Sequence, residues 1–127
     1  MENLVCLDTS VLIDFFRKQK SEKSLFIKLI QSDFSGFYIT ITLEFEIYYG
    51  ATQQQLNFWN NLFDDFIILP YTHSINIVAI DIAKDLRKRN KSIDYKDLTI
   101  AATAVFTNFP LATLNKKHFD KIEGLNL

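Results

Sequence analysis

Along the chain, short and wholly apolar runs alternate with longer stretches in which apolar residues recur every three or four positions. Residues 3–7 form the first run, which ends abruptly at Asp8-Thr9-Ser10, as a strand buried on both faces would. From about 10 to 18, Leu12, Ile13 and Phe16 fall on one side of a helix. From 21 to 32, Leu25, Phe26, Leu29 and Ile30 form a second helical stripe. Beyond Gly36, residues 37–41 predict a second strand, and Thr42 suits the cap of a helix that runs through Tyr49 and meets Gly50. Leu56, Trp59, Leu62, Phe63 and Phe66 repeat at helical spacing, and residues 66–69 predict a third strand stopped by Pro70. Thr72 is placed to cap a long helix carrying Ile75, Val78, Ala79, Ile82 and Leu86. A further helix is predicted over 95–107, a fourth strand over 111–113 and a fifth over 125–127. Strands alternating with helices in this way predict an α/β domain around a mainly parallel sheet.

Only 3 Gly and 2 Pro punctuate 127 residues of which 48% are apolar, which excludes disordered, collagenous and loop-dominated chains. The length suits one domain over residues 1–127, with no linker, repeat or low-complexity segment to divide it. One cysteine excludes a disulfide framework and a cysteine-built zinc site. The start has neither the basic segment nor the apolar run of a signal peptide, and no apolar stretch approaches the roughly 18 residues that cross a membrane. The expectation is therefore a cytoplasmic protein without a membrane partner, in which Cys6 stays reduced.

The net charge of −1 argues against a nucleic-acid partner held by bulk electrostatics alone. Its distribution changes that picture. Residues 29–83 hold six acids and no Lys or Arg, whereas residues 84–127 hold nine Lys or Arg against five acids. Such asymmetry marks a site or a partner surface only when specific residues support it.

Ligands in open parallel sheets bind beyond the carboxyl ends of the strands, so the polar residues that follow each run are the candidates. Asp8 follows the first run, Glu44 and Glu46 lie in the first turns after the second, and Asn115 follows the fourth. Asp97 opens the helix that leads into the fourth strand, with Asp94 one turn earlier. Clustered carboxylates repel one another unless a cation neutralises them, and oxygen-only ligands suit hard ions such as Mg²⁺ or Mn²⁺. An ion held in that way activates water and stabilises charge on a phosphoryl group, so phosphodiester hydrolysis is the natural reaction.

These residues carry a resemblance. Leu7-Asp8-Thr9-Ser10-Val11-Leu12-Ile13 is similar to the opening motif of PIN-domain ribonucleases, and Glu46-Ile47-Tyr48-Tyr49-Gly50-Ala51 resembles their second. Asp97-Leu98-Thr99-Ile100-Ala101-Ala102-Thr103-Ala104 resembles the third motif, and Thr113-Leu114-Asn115-Lys116-Lys117-His118-Phe119 the fourth. The four follow the family's order over residues 4–119, and the length is most similar to that of the VapC toxins of toxin–antitoxin pairs. The resemblance implies a three-layer α/β/α sandwich with a mainly parallel central sheet of four to five strands. It also implies a Mg²⁺- or Mn²⁺-dependent endoribonuclease, a homodimer inhibited by a cognate antitoxin protein. Asp8, Glu46 and Asp97 would then be the metal-binding triad.

Two positions depart from the family pattern. Many relatives carry an acid in the fourth motif where this chain has Asn115 and His118. Asn115 would act there by orienting water on the ion through its carbonyl oxygen. Glu44 lies two residues before Glu46, and residues two apart on a helix do not share a face, so one of them reaches the site. The spacing to Gly50 favours Glu46.

Several features allow a plain reading beside a functional one. Cys6 suits a core position, and His73 a surface one. His118 is either a solvated histidine or a general acid. Phe58 and Trp59 are either helical core or part of an apolar groove for an antitoxin segment. Tyr48 and Tyr49 either pack or stack on bases. Lys84, Arg87, Lys88, Arg89 and Lys91 are either a solvated helix end or a rail for RNA phosphates. Two other functions share the pattern: a catalytically weakened domain kept as a binding partner, and a receiver-like signalling module. The second needs an acid after the third strand, where this chain has Leu69-Pro70.

Overall fold

Strand β1 (Leu4–Leu7) is apolar at every position because both of its faces are covered, and all four residues are buried. It is the inner strand of a sheet completed by β2 (Gly36–Thr40), β3 (Ile67–Leu69) and β4 (Leu111–Ala112). The computed structural model, which describes residues 3–18 and 23–127, pairs them in the order β3-β2-β1-β4, every pair parallel. From β1 the chain steps outward twice, to β2 and β3, and then crosses back to place β4 on the other flank of β1. The crevice beyond the carboxyl ends of β1 and β4 lies where that direction reverses, the position that open α/β sheets use for ligands.

Alternation along the strands divides the core. Val5, Leu7 and Ile39 face α1 (Thr9–Arg17), α2 (Leu25–Ile30), α3 (Ile41–Gly50) and α4 (Leu56–Phe63), packing with Leu12, Phe15, Phe26, Leu43 and Trp59. Leu4, Cys6 and Tyr38 face α5 (His73–Lys88) and α6 (Tyr95–Thr107), packing with Ala79, Leu86, Ile100 and Ala101. Phe119 of the short α7 (Lys116–Phe119) joins the same face. The result is the expected three-layer α/β/α sandwich. Cys6 is fully buried, and burial pushes its thiol up to about 12, which leaves it a core residue with no thiolate chemistry.

The structure corrects several sequence expectations. α3 is capped by Thr40, whose Oγ1 accepts from the Leu43 N–H at 3.1 Å. Thr42 lies inside the helix and bonds through its hydroxyl to Thr40 and Thr99. Of two threonines one residue apart, the one at the strand end has the extended backbone that a cap requires. Residues 125–127 form no strand; a single bond, from the Leu111 N–H to the Asn126 carbonyl at 2.8 Å, ties the tail to β4. α2 begins at Leu25 behind a Ser24 cap, and the expected start at 21–22 lies outside the described residues. Phe66 precedes β3, and α7 carries no apolar stripe by which it could have been foreseen. Among the described residues no helix is long and apolar enough to cross a membrane.

Thr72 does cap α5, accepting from the Ile75 N–H at 3.2 Å. Thr72→Ala should therefore lower unfolding free energy by about 1 kcal/mol. Leu12→Ala, which empties a fully buried position, should cost about 2–5 kcal/mol. Urea unfolding followed by circular dichroism checks both, and equal effects would contradict this division between surface cap and core.

Candidate active site at the carboxyl edge of the sheet

Asp8 occupies the cap position of α1 with extended backbone, yet its carboxylate accepts no capping bond from the helix's backbone N–H groups. Its Oδ2 accepts instead from Ser10 Oγ at 2.7 Å and from Thr113 Oγ1 at 2.8 Å. The residue is only 2% exposed, so these two hydroxyls replace solvent that the carboxylate has lost. Thr113 is in reach because β4 pairs with β1, and the Asp8 N–H continues the ladder to the Ala112 carbonyl at 3.0 Å. A second row of bonds holds the hydroxyls in turn. The Leu114 N–H donates to Ser10 Oγ at 3.0 Å and the Asn115 N–H to Thr113 Oγ1 at 2.9 Å.

Asp97 is the third residue of α6 and is buried. Glu46 projects from α3, which packs against α6. Lys96 joins them: its Nζ lies 3.0 Å from Glu46 Oε2 and 3.9 Å from Asp97 Oδ1. Burial pulls the Lys96 ammonium pKa down, but the Glu46 bond and the charges of Glu46, Asp97 and Asp8 outweigh it and shift it upward. For Asp97, burial and the neighbouring Asp8 charge push the carboxyl above its ordinary range, against the opposing pull of Lys96 and His118. The three sequence-predicted acids are thus electrostatic neighbours at one end of the sheet. Glu44 faces elsewhere, where its charge is felt by Tyr48.

The donor set suits a hard divalent ion in kind, since every candidate ligand atom is a carboxylate oxygen. Glu46 Oε1 is buried and has no hydrogen-bond partner among the described residues, an acceptor left open to a cation. Those residues contain no ready-formed cluster of three metal-ligating side chains, and the Lys96 ammonium stands among the acids.

The remaining candidates divide. Asn115 caps α7, and its link to Asp8 runs through its backbone N–H and Thr113; its exposed carboxamide makes no hydrogen bond among the described residues. His118 stands on α7 with Nδ1 3.3 Å from Asp97 Oδ2, so the fourth motif reaches the site through this ring. Asp94 caps α6 beside a small polar hollow shared with Asp97 and His118. Arg89 is tied to Asp85 at 2.7 Å and to the Lys121 carbonyl at 2.6 Å, which removes it from the basic stretch, whereas Lys84, Arg87, Lys88 and Lys91 are exposed. Tyr48 packs, donating to Asn60 Oδ1, and Tyr49 is exposed and stacked on Phe45. Trp59 is core, although its edge contributes with Ile13, Phe16 and Ile47 to a groove of about 410 Å³ that reaches Thr9 and Glu46. Thr113 and Lys96 were not foreseen. Their signals were a threonine at a strand end beside β1 and a cation in the first turn of a helix, where the dipole disfavours it.

Three kinds of comparison bear on the family and the fold. The PIN domain family model matches residues 5–125. The ribonuclease VapC1 of Methanocaldococcus jannaschii is 35% identical over 135 residues, covering 99% of this chain and 86% of that protein. Among solved structures, the DNA-bound VapBC of Salmonella typhimurium matches with a TM-score of 0.87 at 20% identity, covering 99% of this chain and 96% of that one. VapBC-5 of Mycobacterium tuberculosis, from the VapBC family of toxin–antitoxin systems, matches with a TM-score of 0.73 at 21% identity, covering 98% and 94%.

The raised Asp97 pKa sets a sign for stability. An acid whose folded pKa lies above its unfolded value, 3.8, contributes stability that is full below that pH and is lost as pH rises through the folded pKa. Asp97→Asn, which keeps the neutral shape, should therefore raise the melting temperature of the metal-free protein at pH 7 and add little at pH 3.5. Thermal denaturation at the two pH values checks this; a lower melting temperature at pH 7 would contradict it.

Proposed function

Since the chain belongs to the PIN-domain family, we propose that it is a Mg²⁺- or Mn²⁺-dependent endoribonuclease, the toxin half of a toxin–antitoxin pair. The observation that carries this reading is the convergence of Asp8, Glu46 and Asp97, from three distant parts of the chain, around a single ammonium. In this reading residues 1–127 act as one catalytic domain in the cytoplasm. Asp8, Glu46 and Asp97 would hold the ion, which when bound lowers the pKa of water and stabilises charge on a phosphoryl group. Ser10 and Thr113 fix the Asp8 carboxylate in one orientation, and His118 does the same for Asp97. Asn115 supports that arrangement through its bond to Thr113. Lys84, Arg87, Lys88 and Lys91, at the end of α5 nearest the start of α6, supply phosphate contacts that let an anionic RNA approach an acidic centre.

Two surfaces suit the proposed protein partners. The groove between Ile13, Phe16, Ile47 and Trp59 has an apolar floor, and Thr9 Oγ1 at its rim is buried with no partner among the described residues. That combination suits an antitoxin segment with apolar anchors and a polar head. On the other side of Glu46, exposed Ile41, Phe45, Tyr49 and Tyr95 line an apolar hollow, a surface suited to a second copy of the chain. Nothing in the sheet favours a receiver-like module, because β3 ends without an acid.

Purified protein should cleave RNA with Mg²⁺ or Mn²⁺ and lose activity with chelator. Asp8→Ala and Asp97→Ala should each lower the rate by at least about a hundredfold, and Thr113→Val by about 10–100-fold. Cleavage that persists in Asp8→Ala would overturn the assignment, and wild-type protein that binds the antitoxin but never cuts would favour the weakened-domain reading. Phe45→Glu should convert a dimer to a monomer in sedimentation velocity; an unchanged sedimentation coefficient would exclude that face from the dimer.

A further inference from the structure

A lysine in the first turn of a helix is placed against the helix dipole, where an acid is preferred. Lys96 is the second residue of α6 and occupies that position. What holds it there is the acidic cluster: Glu46 Oε2 at 3.0 Å, Asp97 Oδ1 at 3.9 Å, and the nearby charge of Asp8. Its side chain is 41% exposed, so solvent lies within reach of a four-carbon stem with several rotatable bonds. Glu46, meanwhile, presents a buried Oε1 with no partner among the described residues, so the ammonium satisfies only half of that carboxylate.

We propose that Lys96 is a movable counter-ion of this site: it neutralises Glu46 and Asp97 while no divalent ion is present, and it turns to the RNA backbone when one binds. This rests on the metal-dependent nuclease reading above. Charge arithmetic favours the exchange. A divalent ion and an ammonium sharing the same few ångströms repel, whereas the carboxylates gain more from the doubly charged ion at equal distance. The released ammonium is then a cation at the edge of the acidic cluster, available to a substrate phosphate that approaches the acids. Lys96 thus competes with the metal and cooperates with the substrate. A lysine kept only for packing would do neither.

The opposite signs make the test sharp. Mn²⁺ binding by calorimetry at low salt should be roughly three- to tenfold tighter in Lys96→Met than in wild type, because the ion no longer displaces an ammonium. Binding of a fluorescent oligoribonucleotide in Ca²⁺ should be severalfold weaker in the same variant, and Lys96→Arg, which keeps the charge, should return both affinities towards wild type. Thermal melts confirm folding, and Lys96→Gln replaces the Met variant if that one unfolds. Unchanged or weakened Mn²⁺ binding in the folded variant, or unchanged RNA binding, overturns the proposal while leaving the nuclease reading intact. A wild-type chain that takes up no Mn²⁺, or an Asp97→Asn variant that takes it up equally well, overturns the reading of the site and this proposal together.

Discussion

A buried carboxylate has to be answered by donors, and the way Asp8 is answered ties the two ends of the chain together. Its Oδ2 is held by Ser10, two residues on, and by Thr113, more than a hundred residues away. That second bond exists only because β4 returns to lie beside β1 instead of extending the sheet past β3. The backbone ladder, the hydroxyl pair and the N–H groups of Leu114 and Asn115 form one connected network in which each acceptor is itself positioned by a donor. The topology of the sheet and the geometry of the acid are therefore one constraint. Loosening either leaves a charge in a space that water reaches poorly.

Charge balance is the second organising force. Burial raises the cost of ionising Asp97, and the neighbouring Asp8 charge adds to it. Lys96 and His118 offset that cost from opposite sides, one from the adjacent position on α6 and one from α7. Neither is deeply buried, so both stand beside the acid without sealing the cleft. Part of the acidity of this centre is thus offset within the protein itself, by Lys96 outright and by His118 when its ring is protonated.

Much of this was legible in the sequence because the relevant signals are periodic or local. Apolar runs closed by Asp8, by Pro70 and by the Thr40–Thr42 segment mark strand ends, and the stripe from Ile75 to Leu86 marks α5. The spacing of Glu46 before Gly50 separates it from Glu44, and the structure joins Glu46, not Glu44, to Lys96. Where the sequence misled, two residues competed for one local role. Thr40 and Thr42 are chemically equal caps, and only the end of β2 decides between them. Residues 125–127 are apolar enough for a strand, but β4 is two residues long and offers the tail little ladder to extend. Thr113, Lys96 and the His118 contact could not be read locally, because each acquires its partner through tertiary packing across tens of residues.

The bond between Thr113 and Asp8 also has a consequence in time. Contacts of such long sequence separation are the costliest to close, because the intervening chain must first surrender its freedom. A ribosome that has released residues 1–100 has already exposed Asp8, Glu46 and Asp97, yet it has not delivered the strand that pins the first of them. The carboxylate network is completed only when β4 and Thr113 emerge, more than a hundred residues after Asp8. A chain built in this order carries all three acids well before the contact that fixes the first of them can form.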